Sequence, residues 1–342
     1  MRSSFILALA TALVSSSLVA RSDAQQLCNG YAELCAKTYD QVSYATTHNA
    51  YASNTGALAA NQDNNISIQL KDGIRALMLD AYNTSTNDPN EIELCHTSCS
   101  LLDAGPLTKT LGQIKAFLDA NPNEVVTIFW ENAGNLTPAH FQNAYQAAGV
   151  TNYLYTQTTG STTWPTLADM ISSGKRLVNY VDSGADASVP WLMAEYDFVF
   201  ETPFEIALGA AYLCTVDRPK DQRKQMYVMN HFISRTIAVS GVNADLPQPG
   251  AADQTNGPDL VSHANSCQST FNQIPTFVAV DFYEKGSLLQ TVAQLNGVTF
   301  NNKLPTQPAS STTSGALSAK SIISARAVSA AAIIGATSLL AL

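Results

Sequence analysis

Four short apolar runs of this chain each stop at a side chain that holds a proton or a metal ion. YATTHN ends in His48 and Asn49, GIRALMLD in Asp80, IELCH in His96, and EVVTIFWEN in Glu131 and Asn132. Two imidazoles suit paired acid–base work: one takes a proton from a nucleophile while the other gives one to a leaving group. Asn49, Asp80 and Glu131 are hard oxygen donors. With waters they match the shell of Ca²⁺, which takes 6–8 oxygen ligands. A cation there would neutralise charge developing on a phosphoryl group. Cys95-His96-x-x-Cys99 has the look of a zinc pair, but an oxidising compartment favours a disulfide that pins the His96 loop.

Groups at the ends of several buried strands meet only if the strands share one sheet. Strand-like runs occupy residues 42–47, 74–81, 92–96, 125–131, 176–182, 197–201, 225–231 and 277–282. They are short, apolar and rich in Val, Ile, Phe and Tyr, as strands buried on both faces are. Helical spacing fills 107–120, 138–148 and 164–173 between them. Strands alternating with helices, eight strands in all, predict an α/β fold: a single distorted (β/α)₈ TIM-type barrel with its chemistry at the C-terminal mouth.

Period-two alternation carries Ala76 and Met78 to Asp80, Thr127 and Phe129 to Glu131, and Ile92 and Leu94 to His96. Arg75 falls on the opposite face and is expected to pair with a carboxylate outside the barrel. The same alternation runs from Tyr227 and Met229 to His231, and from Phe277 and Ala279 to Asp281. His231 and Asp281 are therefore expected to bind substrate. Residues 240–272 show no clear period and read as a long excursion.

The chain opens with Arg2 and an apolar stretch, then small residues at Ser22 and Ala24, the pattern of a secretory signal over residues 1–24. It closes with the apolar tail 327–342, shorter than the roughly 20 residues that span a bilayer. Small residues, a polar spacer and a terminal tail predict a glycosylphosphatidylinositol anchor signal at 315–342. Ser314 is the expected attachment site, with Ser310 and Ser311 as alternatives. Residues 305–314 then form a Ser/Thr/Pro-rich stalk, and 25–304 the barrel. This places the protein outside the cell, on the plasma membrane or wall.

Charged residues are only 13% and hydrophobic residues 46%, so a large core is available. A net charge of −9 argues against nucleic acid and gives no general attraction to anionic membranes. The expected partners are a phosphodiester lipid and, through the anchor, a membrane surface; the expected state is a monomer. The six cysteines allow 15 pairings. Sequence leaves the connectivity open; proximity suggests Cys28–Cys35, Cys95–Cys99 and Cys214–Cys267. Asn65, Asn83 and Asn135 each open an N-x-Ser/Thr triplet, the glycan acceptor of secreted chains.

The order T-H-N, G-x-R-x₄-D, C-H and FLDANPNE-VVTIFWEN resembles the X-region of phosphatidylinositol-specific phospholipase C, nearest to secreted fungal phospholipase C-like phosphodiesterases. The motifs run from about Val42 to Asn132, with MNHF at His231 and VDFY at Asp281 similar to late-barrel segments. The resemblance implies that His48 and His96 are the catalytic pair. Calcium-dependent members carry Asn after the first histidine, two acids spaced x-L-D on the second strand and Glu on the fourth. Asn49, Asp80 and Glu131 fall on three of those positions, and Met78 stands where the fourth acid is expected. Metal-free bacterial members carry arginine at the position of Asp80. The implied reaction is attack of an inositol hydroxyl on phosphorus, with His48 as base and His96 as acid; sequence leaves the two roles exchangeable. Two other readings stand beside it: a glycerophosphodiester or sphingomyelin-type phosphodiesterase, and a catalytically degenerate barrel that acts as a surface binding or wall protein.

Overall fold

The computed structural model describes residues 26–53, 57–83, 91–204, 206–239 and 242–301. The expected signal, stalk and anchor segments lie outside the described residues. In chain order the elements are β1 (Tyr44–Thr47), α1 (Ile66–Asp72), β2 (Ala76–Asn83), β3 (Ile92–Cys95), β4 (Asp103–Pro106), α2 (Leu107–Ala120), β5 (Val126–Glu131), α3 (Pro138–Ala147), α4 (Leu167–Ser173) and β6 (Leu177–Val181). There follow β7 (Leu192–Ala194), α5 (Glu195–Phe198), β8 (Val199–Glu201), β9 (Met226–Asn230), β10 (Ser234–Val239), β11 (Val242–Pro247), α6 (Ala252–Gln254), α7 (Leu260–Phe271), β12 (Phe277–Val280) and α8 (Leu288–Leu295).

Eight strands form one curled parallel sheet in the order β7-β6-β5-β2-β1-β12-β9-β8. Among the described residues β7 and β8 do not pair, so the barrel is open on that side. Its interior holds Tyr44, Ala76, Phe129, Tyr180, Val228 and Phe277. The alternate residues, among them Leu77, Ile128, Trp130, Tyr227 and Val278, pack outward with the helices. Two faces of equal apolarity are what a parallel strand covered on both sides requires.

One expected barrel strand is elsewhere. β3 pairs antiparallel with the far end of β2, Ala81 opposite Leu94 and Asn83 opposite Ile92, and then with β4. The reason is chain length: only residues 84–91 separate β2 from β3, and a parallel return needs a crossover of about a dozen residues or more. The missing eighth strand is β7, three residues long. The excursion at 240–272 also differs from expectation, for it contains α7. Leu260, Ala264, Cys267 and Phe271 are buried at helical spacing there, but the polar residues between them hide the period.

α2 forms over the expected residues, and α4 begins at Leu167 because the Thr166 side chain accepts from the Asp169 backbone N–H. Arg75 points out of the barrel, where its Nε lies 2.7 Å from Glu124 Oε2 and its guanidinium covers Phe117. The three proximity disulfides are all formed. Asn65, Asn83 and Asn135 are exposed. Among the described residues no helix is long and apolar enough to cross a membrane.

Candidate active site

Each inward row of the sheet reaches the mouth with a polar side chain. His48 follows β1, Asp80 lies on β2, Glu131 ends β5, Asp182 follows β6, Glu195 follows β7, Glu201 ends β8, Asn230 ends β9 and Asp281 follows β12. All eight line one cavity of about 250 Å³, together with Asn49, Met78 and His96. His96 arrives by another route. It follows β3, its backbone N–H donates to the Leu102 carbonyl at 3.0 Å, and the adjacent Cys95–Cys99 disulfide closes the turn.

The two histidines share the cavity in different settings. His48 Nδ1 lies 2.9 Å from Asp281 Oδ1, which also accepts from Asn61 Nδ2 at 3.0 Å. Burial acts to lower the His48 pKa, but the charge and hydrogen bond of Asp281 outweigh it and leave the ring above its ordinary value. His96 Nδ1 donates to the Ala59 carbonyl at 2.6 Å. Burial pushes His96 below its ordinary value, against the pull of that carbonyl. Each ring spends Nδ1 on a fixed partner, which leaves Nε2 for chemistry.

Asp80 and Glu131 stand directly opposite in the β2/β5 register. The Asp80 carboxyl is pushed up to about 8, by burial first and then by the Glu131 charge. The Tyr51 hydroxyl lies 2.8 Å from Asp80 Oδ2 and 2.8 Å from the Cys95 carbonyl, so it relays one hydrogen bond between the two strands. Glu131, which opens onto the mouth, is also raised, by the desolvation of its crowded wall, although Arg218 opposes it. Two acids that disfavour each other's ionisation are an arrangement a cation relieves. With Asn49 they make a hard-oxygen donor set, while the Met78 thioether adds nothing for Ca²⁺. Among the described residues the one trio of Cys, His or carboxylate ligand atoms within 4.8 Å is Cys214, His263 and Cys267, and its sulfurs are already joined. The mouth therefore offers Asn49, Asp80 and Glu131 as hard-oxygen donors, with no closed cage among the described residues.

Sequence reasoning missed the opposite wall. Arg218 Nη2 lies 2.8 Å from Glu201 Oε2, and Asn230 Nδ2 donates to the same oxygen at 2.8 Å. Glu195 is held well above the carboxylate range by burial and then by the Glu201 charge. Asp182 and Glu201 end runs that were recognised as strands, so the inward-row rule itself could have found them. Arg218 lies in an irregular segment with no such signal.

Of the two residues expected to bind substrate, His231 needs correction. His231 does not line the cavity. It is fully buried, with Nε2 2.8 Å from the Thr255 carbonyl and Nδ1 3.0 Å from His263 Nδ1. The inward row of β9 is Met226, Val228 and Asn230, and a shift of one residue reverses the face. Asp281 does line the cavity, but its carboxylate is committed to His48 and Asn61.

Burial lowers His231 to about 3 and His263 to about 4. Both rings are neutral when folded and gain protons on unfolding once the pH falls below the ordinary value of about 6.5. The unfolded chain then binds more protons, so this pair costs stability as the pH drops, by up to about 2.7 kcal/mol per pH unit. Buried carboxyls held above their ordinary range act with the opposite sign, so the diagnostic is a difference. The fall in urea midpoint from pH 7 to pH 5 should be smaller in His263→Gln than in the parent. Equal falls would assign the effect to other groups.

Comparison with known proteins agrees with this architecture. The chain is 34% identical over 282 residues to PI-PLC X domain-containing protein 1 of Arthroderma benhamiae, covering 80% of this chain and 90% of that protein. It is 33% identical over 313 residues to an uncharacterized secreted protein of the same organism, covering 86% of this chain and 70% of that protein. The phosphatidylinositol-specific phospholipase C of Listeria monocytogenes shares the fold, with a TM-score of 0.51 at 15% identity over 79% of this chain and 98% of that one. The family model described as PI-PLC X 1 matches residues 34–296, and the chain belongs to that family.

Proposed function

We propose that this protein is a phosphoric diester hydrolase that cleaves phosphoinositide-like lipids with His48 and His96 as its acid–base pair. One observation carries the reading: His48, oriented by Asp281 at 2.9 Å, shares a cavity with a second imidazole whose Nδ1 is equally fixed. Asp281 makes His48 the stronger base, because it stabilises the imidazolium that forms. Burial makes His96 the stronger acid, and the anionic phosphodiester beside it supplies the charge that loads its proton. His48 Nε2 takes the proton of a headgroup hydroxyl next to the phosphorus. That oxygen attacks, a cyclic phosphate forms, and His96 Nε2 protonates the departing glycerol oxygen. A calcium ion held through Asn49, Asp80 and Glu131 would supply charge neutralisation at the phosphoryl oxygens.

The family and the parent fold of the bacterial enzyme support the reaction class. The test is incubation with vesicles that contain phosphatidylinositol, sphingomyelin or glycerophosphodiesters, with calcium and with chelator. Diacylglycerol released from phosphatidylinositol is expected. Release from sphingomyelin alone would favour the other phosphodiesterase reading. No product from any of them would favour the binding-protein reading, which Met78 motivates. Export and an anchor through Ser314 complete the proposal; recovery of the C-terminal LLAL peptide from mature surface protein would remove the anchor.

A further inference from the structure

We propose that Phe232 is a positioning residue for His48, a role that rests on His48 acting as the base. The Phe232 ring lies 3.7 Å from the His48 ring, centroid to centroid, with the two planes only 4° apart. Phe232 is 7% exposed and lines the cavity. The Asp281 hydrogen bond fixes one point of the imidazole and leaves it free to tilt about that contact. A flat aromatic face removes the tilt. Neutral rings prefer offset or edge contacts over a face-on stack. An imidazolium prefers the face of a ring, so the stack suits the cation formed when His48 takes a proton.

The chain behind Phe232 is built to hold it still. Asn230 donates to Glu201 at 2.8 Å and to the Thr202 carbonyl at 2.9 Å. His231 is pinned between the Thr255 carbonyl and His263, with the Tyr212 ring 3.9 Å from its own. His263 lies on α7, which the Cys214–Cys267 disulfide ties back to the loop that carries Tyr212. Three consecutive residues thus reach Glu201, His263 and His48. A base must be placed to within a fraction of an ångström of its proton, and a displacement of about 1 Å can cost about 100-fold in rate.

The experiment compares Phe232→Leu and Phe232→Tyr with the parent. Phe232→Leu keeps the apolar bulk and removes the flat ring. It should lower kcat by about 10- to 100-fold with KM and Tm close to the parent, and Phe232→Tyr should restore most of the rate. Proton and nitrogen NMR of the His48 ring gives a readout that needs no turnover. In the parent, the stacked geometry predicts that its Cε1 proton is shielded by the Phe232 face. That shift should vanish in Phe232→Leu and return in Phe232→Tyr, with the Nδ1–H tautomer less populated in the leucine variant. An unchanged kcat in Phe232→Leu, once the shift has moved, overturns the proposal. So does a His48 spectrum that is identical in all three proteins. If the parent turns over no phosphodiester, the functional reading fails and the spectra alone decide whether Phe232 holds the ring.

Discussion

His48→Ala and His96→Ala should each lower phosphodiester turnover by about 10²- to 10⁴-fold, the range for loss of a general acid or base. The two losses have different causes. Without His48 the attacking hydroxyl keeps its proton, and Asp281 and Asn61 are left facing a gap. Without His96 the glycerol oxygen must leave as an alkoxide. A substrate with a more acidic leaving alcohol should therefore rescue His96→Ala and not His48→Ala. Steady-state kinetics on a natural and an activated substrate make the comparison. Equal rescue of both variants would exchange or dissolve the assigned roles.

The second large effect is expected from divalent cations. Chelation should remove most activity, because the cavity is lined by carboxyl groups, and its one guanidinium among the described residues, Arg218, is already paired with Glu201. An anionic phosphodiester enters such a cavity only when its charge is offset. Met78 lies two residues before Asp80 on the inward row and lines the same mouth. Met78→Glu adds a hard, charged ligand, so the calcium concentration that gives half-maximal activity should fall by about tenfold or more. The same substitution crowds a third acid beside Asp80 and Glu131. It should lower Tm without calcium and enlarge the rise in Tm on adding it. Full activity in chelator, with no calcium-dependent Tm shift in either protein, would take the metal out of the account.

The residues that could be read from sequence are those whose strand has one telling parity. Asp80 and Glu131 end rows of apolar residues on β2 and β5, and Arg75, one residue before β2, points out to Glu124 as expected. β9 offers no such clue. Tyr227 and Met229 are as apolar as Met226 and Val228, so composition cannot tell the two faces apart, and His231 was placed on the wrong one. β3 has the apolarity of a barrel strand but lacks the chain length for a parallel return. His96 still reaches the cavity, because the disulfide turn and the Ala59 carbonyl hold it there. Glu195 follows a strand of three residues and leads straight into a single helical turn, too short for any period to register. Arg218 depends on pairing with Glu201 across an irregular segment, a contact no local pattern encodes.

One cavity is proposed to turn over a phosphoinositide through its two histidines. Product analysis after incubation with phosphatidylinositol vesicles and calcium tests it most directly. Diacylglycerol and a cyclic inositol phosphate are expected from the parent protein, and neither above background from His48→Ala or His96→Ala. Release of diacylglycerol at the parent rate by either folded variant would contradict it.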